Sequence, residues 1–365
     1  MNAFQAQWKA IIEGDASALA RSTLGPLLTT LSYPYNWAHK LRLQAYHRGW
    51  AAIRRLPCRV ISIGNLTLGG TGKTPVVEVV AGLLQQEGVR VCVLSRGYGG
   101  KAQSGITVVS DGERCLVPPE VAGDEPMLLA EHLAALPVIV GKDRYAAGML
   151  AVERFGVEAI VLDDGFQHVQ LARDLDILLL DALRPFGNGR LFPRGELRDR
   201  PAAVARADAI VLTRWESAAA PSLLIPQLCR SDLPLFCSQH RPLDLRVLAD
   251  GHILPLQCLK GRRIMAFCGI GTPHHFRLTL QRLGAEIVAF EAFPDHHPYL
   301  LSEIDQLVMV AKQHHVDIIV TTEKDGVRLR RLAPLAGQVW ELRIRASIVE
   351  QEAAWKTFIL GTITG

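Results

Sequence analysis

Lys73 and Thr74 end a Gly-rich turn, Gly69-Gly70-Thr71-Gly72. Glycines let backbone N–H groups approach phosphate oxygens, a lysine can reach the outer phosphates of a nucleotide, and a threonine hydroxyl can hold Mg²⁺. Thr67 and Leu68 open the turn. Thr67 departs from the usual Gly-x-x-x-x-Gly-Lys-Thr pattern, whose first position is Gly. The alternative is a Gly-rich strand–helix turn without a ligand.

Three acidic groups could complete such a site. Asp163 and Asp164 follow the apolar run Ala159–Leu162 by direct succession. Beside a phosphate loop, carboxylates at a strand end suit a hard divalent ion; at strand ends they are also ordinary turn residues. Asp124, in Ala122-Gly-Asp-Glu-Pro126, reads either as a helix N-cap or as a general base for an attacking hydroxyl, and the cap is the simpler reading. His296 follows Asp295 in Asp-His-His-Pro; it could pair with that carboxylate, support a base from elsewhere, or lie in a solvated turn. His274-His275 and His314-His315 show no partner pattern and read as surface or core histidines.

Two basic loops stand near the same chemistry, Ser95-Arg-Gly-Tyr-Gly-Gly-Lys101 and the Arg-rich stretch Arg184–Arg200. Guanidinium forks hold phosphate in pairs of hydrogen bonds. So many arginines imply a second anionic group besides a nucleotide.

The elements that must position these residues alternate. Strands are expected at Arg59–Ile63, Val89–Leu94, Val138–Val140, Ala159–Leu162, Asp176–Leu180 and Ala209–Leu212, with helices at Pro75–Gln86, Pro126–Leu136 and Ala146–Phe155. This pattern predicts an α/β fold with a parallel sheet that binds ligands at the carboxyl ends of its strands. An Ala/Ser/Pro-rich stretch at Ala218–Pro226 reads as a linker. A second α/β unit follows, with strands at Arg263–Cys268, Glu286–Phe290 and Asp317–Thr321 and helices at Phe276–Leu283 and Leu301–His314. The expected division is an N-terminal region at 1–50, a nucleotide-binding core at 51–225 and a smaller C-terminal α/β domain at 226–365.

Composition fits a folded chain: 365 residues, 49% hydrophobic and 21% charged. A net charge of +4 gives no argument for nucleic acid. The charge is unevenly placed, because no acidic residue lies between Asp15 and Glu78, whereas Arg21, Lys40, Arg42, Arg48, Arg54, Arg55 and Arg59 do. Leu24, Leu27, Leu28 and Leu31 fall at helical spacing, followed by Tyr33, Tyr35, Trp37, Tyr46 and Trp50. Together they read as a helix lying on an anionic membrane surface; a hairpin packed on the core or a dimer contact is the alternative. No run is long and apolar enough to span a bilayer, and a signal-peptide pattern is missing. The 7 cysteines lack any C-x-x-C pair, so buried free thiols in a reducing compartment are expected.

In order along the chain, Val60–Pro75, Ser95–Gly100, Gly123–Pro126, Asp163–His168, Phe186–Gly189, Asp295–His297 and Thr322-Glu-Lys-Asp325 resemble the tetraacyldisaccharide 4′-kinase family of Gram-negative bacteria. The match covers nearly the whole chain. The resemblance implies a P-loop core, a smaller C-terminal α/β domain joined by a hinge, and an N-terminal interfacial helix. It implies ATP- and Mg²⁺-dependent phosphorylation of the 4′-hydroxyl of a lipid-linked disaccharide at the cytoplasmic face of the inner membrane, with no obligate protein partner. It implies nucleotide contacts from Thr67–Thr74 and His168, metal support from Thr74, Asp163 and Asp164, and substrate contacts from Arg144 and Arg198. It makes Asp124 a base assisted by His296, with Lys73 on the donor phosphates. It also implies that Thr67 is ordinary here, and it puts in doubt any metal role for Asp199, where Glu is expected. The rival class is a nucleotide switch acting on a protein partner, since Thr322–Asp325 faintly echoes a guanine-reading motif.

Overall fold

A computed structural model describes residues 11–12, 18–98, 100, 105–215, 233–316, 318–330, 332 and 339–364, without the side chains of 18–23 and 364. The expected linker at Ala218–Pro226, together with Asp15, Lys101, Cys229 and Asp317, lies outside these residues.

The first unit carries β1 (Arg59–Asn65), β2 (Val91–Ser95), β3 (Ile106–Asp111), β4 (Pro137–Gly141), β5 (Ala159–Asp163), β6 (Leu175–Asp181) and β7 (Ala209–Thr213). The second carries β8 (Leu235–Val247), β9 (Ile253–Leu254), β10 (Arg263–Cys268), β11 (Glu286–Ala292), β12 (Ile318–Thr322) and β13 (Val339–Val349). Among the described residues they form one 13-stranded sheet in the order β11-β10-β12-β13-β8-β7-β6-β1-β5-β2-β4-β3, with β9 beside β8. From β7 to β4 the neighbours are parallel, and every residue of β2, β4, β5 and β7 is buried. Parallel strands covered on both faces must be apolar throughout, which explains why these runs do not alternate.

The two parallel units are spliced by β8. Its first residues pair parallel with β7, and the rest of it pairs antiparallel with β13. The antiparallel edge strand β3 and the β8–β13 ribbon were not foreseen from the alternation. The last helix, Glu352–Thr364, returns to the first unit: Trp355 and Ile359 join the core around Val76, Val77 and Val80 of the Lys73–Gln86 helix. The opposite face is covered mainly by the Arg144–Phe155 helix, through Ala147 and Ala151. That helix begins with Asp143, whose carboxylate accepts from the N–H groups of Tyr145 and Ala146, and ends at Gly156 in the left-handed region.

The N-terminal helix spans Ala18–His47. The expected single leucine face divides, because adjacent residues on a helix point about 100° apart. Leu28 is buried, and Ser32, Tyr35 and His39 continue its stripe inward. Leu27, Leu31, Tyr33, Trp37 and Leu41 are exposed on the other side. The cysteines divide as well: Cys92 and Cys268 are buried, Cys58, Cys237 and Cys258 are half-buried, and Cys115, in the turn after β3, is exposed.

Candidate active site

The carboxyl ends of β1, β2, β5, β10 and β12 face one cleft of about 1780 Å³ between the two units. The Gly-rich turn leaves β1 at Asn65 and forms its floor. Gly69 and Gly72 have φ of +101° and +78°, a region glycine enters without steric cost. Gly72 precedes the Lys73–Gln86 helix without any side-chain cap, so the first helical N–H groups remain open to an anion. Thr67 does not adopt positive φ and needs no glycine. It is buried, and the chain around it is pinned by the Leu68 N–H donating to Glu196 O at 2.7 Å and Asn65 Nδ2 donating to Thr67 O at 2.8 Å.

Lys73 is the first residue of that helix, and its Nζ lies 3.4 Å from Asn65 Oδ1 and 3.6 Å from Asp164 Oδ1. Leu68, Thr71 and Thr74 line the same wall. From the second unit His240 packs on Gly72, and Arg214, directly after β7 of the first unit, donates to both Gly70 O and Asp181.

The two aspartates at the end of β5 differ. Asp163 is buried; its Oδ2 accepts from Ser95 Oγ at 2.9 Å, whereas its Oδ1 has no partner among the described residues. Burial, then the charges of Glu125 and Asp164, push its pKa upward. Asp164 has φ +55° and accepts from Arg198. Burial opposes its charge, but Lys73 and Arg198 hold its carboxyl at about 2. A buried carboxylate oxygen without a donor, in a cleft that Thr74 also lines, fits Mg²⁺. No group of three His, Cys, Asp or Glu side chains that could hold a metal occurs among the described residues. An ion held there takes its remaining ligands from hydroxyl, phosphate or water oxygens.

Arg144 is buried and committed to strand ends: Nη1 donates to Ser95 O at 2.8 Å and to Gly141 O, and Nη2 to Asp163 O at 3.4 Å. His168 lines the cleft, and burial, with help from Arg144 and Arg42, lowers its pKa to about 4, so it is neutral. Asp199, next to Arg198, faces away and pairs with Arg206 and His39.

Asp124 opens the helix Asp124–His132 but does not cap it; Gly123 is the N-cap residue and no side-chain cap bond forms. The simpler reading of Asp124 is therefore not what the fold uses. Its Oδ2 accepts from His296 Nδ1 at 2.9 Å and from Arg328 Nη2. Burial raises its pKa, yet these two donors bring it down to about 2. His296, at φ +59°, is carried by the loop after β11, with its N–H on Gly269 O. Lys324 lies 3.1 Å from the other ring nitrogen.

Arg328 and Lys324 were not foreseen as site residues. Both lie on the Glu323–Leu329 helix, four positions apart and hence on one face. The Thr-Glu-Lys-Asp motif pointed to the segment without revealing its partner. His132 was also missed; it bridges Glu78 at 2.8 Å and Glu323 at 2.7 Å. His274 and His275, read as surface or core residues, line the cleft.

Comparison with known proteins agrees over most of the chain. Residues 24–364 match the family model described as tetraacyldisaccharide-1-P 4′-kinase. A tetraacyldisaccharide 4′-kinase of Syntrophus aciditrophicus is 45% identical over 91% of this chain and 92% of its own. One from Geobacter sulfurreducens is 42% identical over 92% of this chain and 94% of its own. The crystal structure of LpxK from Aquifex aeolicus in complex with ATP superposes with a TM-score of 0.76 at 34% identity, covering 93% of this chain and 100% of that one.

Proposed function

This chain belongs to the tetraacyldisaccharide-1-P 4′-kinase family, and we propose from its geometry which residues carry the reaction. It is an ATP-dependent kinase that phosphorylates the 4′-hydroxyl of a tetraacyl disaccharide 1-phosphate in lipid A biosynthesis. A nucleotide switch is not favoured. Asp325 of the supposed base-reading motif is buried and occupied by Gly269 N–H, Tyr299 Oη and Thr322 Oγ1, so it is closed to a guanine.

The backbone of Thr67–Gly72 and the Lys73 ammonium hold the donor phosphates, with His168 a neutral contact on the nucleotide side. Asp163 and Thr74, supported by Asp164, would hold Mg²⁺. Bound there, Mg²⁺ offsets charge on the β- and γ-phosphates. Arg144 and Arg198 supply positive potential for the acceptor's phosphate while bracing the aspartate pair. Asp124 takes the proton of the 4′-hydroxyl. A carboxylate held at about 2 is a weak base toward a free alcohol. In a loose transition state the proton moves late, once bonding to phosphorus has made the hydroxyl acidic. His296 holds Asp124 in place, and closure of the second unit onto the first excludes water.

The single observation carrying this reading is that Lys73 and His296 line one cleft, with the buried carboxylate of Asp124 bonded to the His296 ring. The exposed stripe of Leu27, Leu31, Trp37 and Leu41 supports a peripheral position on the anionic cytoplasmic face of the inner membrane. The inward stripe of the same helix, Tyr35 and His39, lines the cleft, so acyl chains and reacting sugar meet the protein at one element. No helix among the described residues is long and apolar enough to cross a membrane.

The test is turnover of Mg-ATP and a detergent-solubilised tetraacyl disaccharide 1-phosphate to a bis-phosphate product. Asp124→Ala should lower kcat by roughly 10²- to 10⁴-fold with ATP affinity kept. Near-normal turnover in that variant refutes the base assignment.

A further inference from the structure

Both ring nitrogens of His296 are engaged. Nδ1 lies 2.9 Å from Asp124 Oδ2, and Nε2 lies 3.1 Å from Lys324 Nζ. An ammonium can only donate, so Nε2 accepts from it. Arg328 Nη2 also lies 3.3 Å from Nδ1, but it donates to Asp124 Oδ2; the one proton of a neutral imidazole then sits on Nδ1, directed at Asp124.

Lys324 is itself fixed. Its Nζ lies 3.1 Å from Glu125 Oε1 and 3.3 Å from Asp295 Oδ1. Burial works against its charge, but those two carboxylates raise its pKa and keep it an ammonium. Glu125 belongs to the first unit and Asp295 to the second, so Lys324 also ties the two walls together at this point. Arg328 donates to Asp124 Oδ2 and, through Nη1, to His297 O at 3.2 Å and Asp325 Oδ1 at 3.3 Å. Both donors to Asp124 thus converge on Oδ2. No described residue donates to Oδ1, which is left to accept from a further donor.

We propose that Lys324 is a positioning residue for the transfer: by donating to His296 Nε2 it selects the Nδ1-protonated imidazole, which pins Asp124 Oδ2 and reserves Oδ1 for the acceptor's proton. This rests on the reading of Asp124 as the base. Without Lys324, Nε2 is free to carry the proton, and Nδ1 would then turn a lone pair toward a carboxylate. The ring must rotate or take a second proton, and Asp124 loses its alignment.

Nitrogen NMR of full-length protein labelled at histidine, with His296 assigned by comparison with His296→Gln, reads the tautomer directly. The wild type should show a pyrrole-type Nδ1 and a pyridine-type Nε2 at His296. Lys324→Met should abolish that pattern and lower kcat by up to about 100-fold, the cost of small misplacement, with KM for ATP within about twofold. Lys324→Arg keeps a donor and should restore the tautomer and most of kcat. A wild-type His296 protonated on Nε2, or on both nitrogens, overturns the proposal without any variant. So does an unchanged tautomer in Lys324→Met. Full turnover by Asp124→Ala would instead remove the base reading, a result the tautomer measurement does not depend on.

Discussion

Arg198 Nη1 donates to both oxygens of Asp164, at 2.9 and 2.7 Å, while neighbouring Asp163 keeps one buried oxygen without a donor among the described residues. Two adjacent carboxylates at one strand end therefore have different tasks. Asp163→Asn should raise the Mg²⁺ concentration for half-maximal turnover by about tenfold or more. Asp164→Asn should lower kcat with a smaller change in Mg²⁺ dependence, because it chiefly frees Lys73 and Arg198. Titrating Mg²⁺ at fixed ATP separates the two; equal Mg²⁺ shifts would contradict this division.

Gly72 is a steric requirement as well as a conformational one. A Cβ there would lie 2.4 Å from the His240 ring, and φ is +78°. Gly72→Ala should weaken ATP binding, measured by calorimetry, by at least about tenfold, since the left-handed strain alone costs roughly 1–2 kcal/mol. Adding His240→Ala should recover only part, because the strain remains.

His132 ties the phosphate-loop helix to the second unit. Burial lowers its pKa, but Glu323 and Glu78 outweigh that and raise it from 6.5 to about 10. A folded pKa above the unfolded one contributes stability that is complete below about pH 6.5 and is lost as pH rises toward about 10. The melting temperature should therefore fall across that window. In His132→Gln the protein should melt lower at pH 6.5 and show a flatter slope; an unchanged slope would remove His132 as the cause.

The exposed side of the N-terminal helix should govern membrane binding without touching chemistry. Leu31→Asp with Trp37→Asp, at side chains 47% and 68% exposed, removes two apolar anchors. Each anchor of this kind is worth up to about 1.5–3 kcal/mol when fully immersed. Co-sedimentation with vesicles containing anionic lipid should drop at least about tenfold, while turnover of detergent-dispersed acceptor stays within about twofold. Undiminished sedimentation would place the contact elsewhere.

Much of the scaffold was legible because its signals are local. Ile160–Leu162 and Val211–Leu212 had to be buried strands, since uninterrupted β-branched and leucine runs fit only a sheet covered on both faces. The phosphate loop and the Asp163–Asp164 pair were equally plain, because each is written in consecutive residues whose backbone conformation their own side chains dictate. The antiparallel course of β13 along β8 was not legible, as strand partners separated by about a hundred positions leave no mark on local periodicity.

The sequence by itself determined the parts: which turn can cradle phosphate, which strands carry acids to its edge, and which helix bears an apolar, basic surface. Only the tertiary structure decided how they act. It turned Asp124 away from capping its own helix and onto His296 and Arg328, gave Asp164 to Arg198 while leaving an oxygen of Asp163 bare, and set Lys324 against an imidazole 28 positions away. The physical reason is that a hydrogen bond in a desolvated cleft depends on distance and direction between groups, and those follow from how the sheet joins the two units rather than from neighbours in the chain.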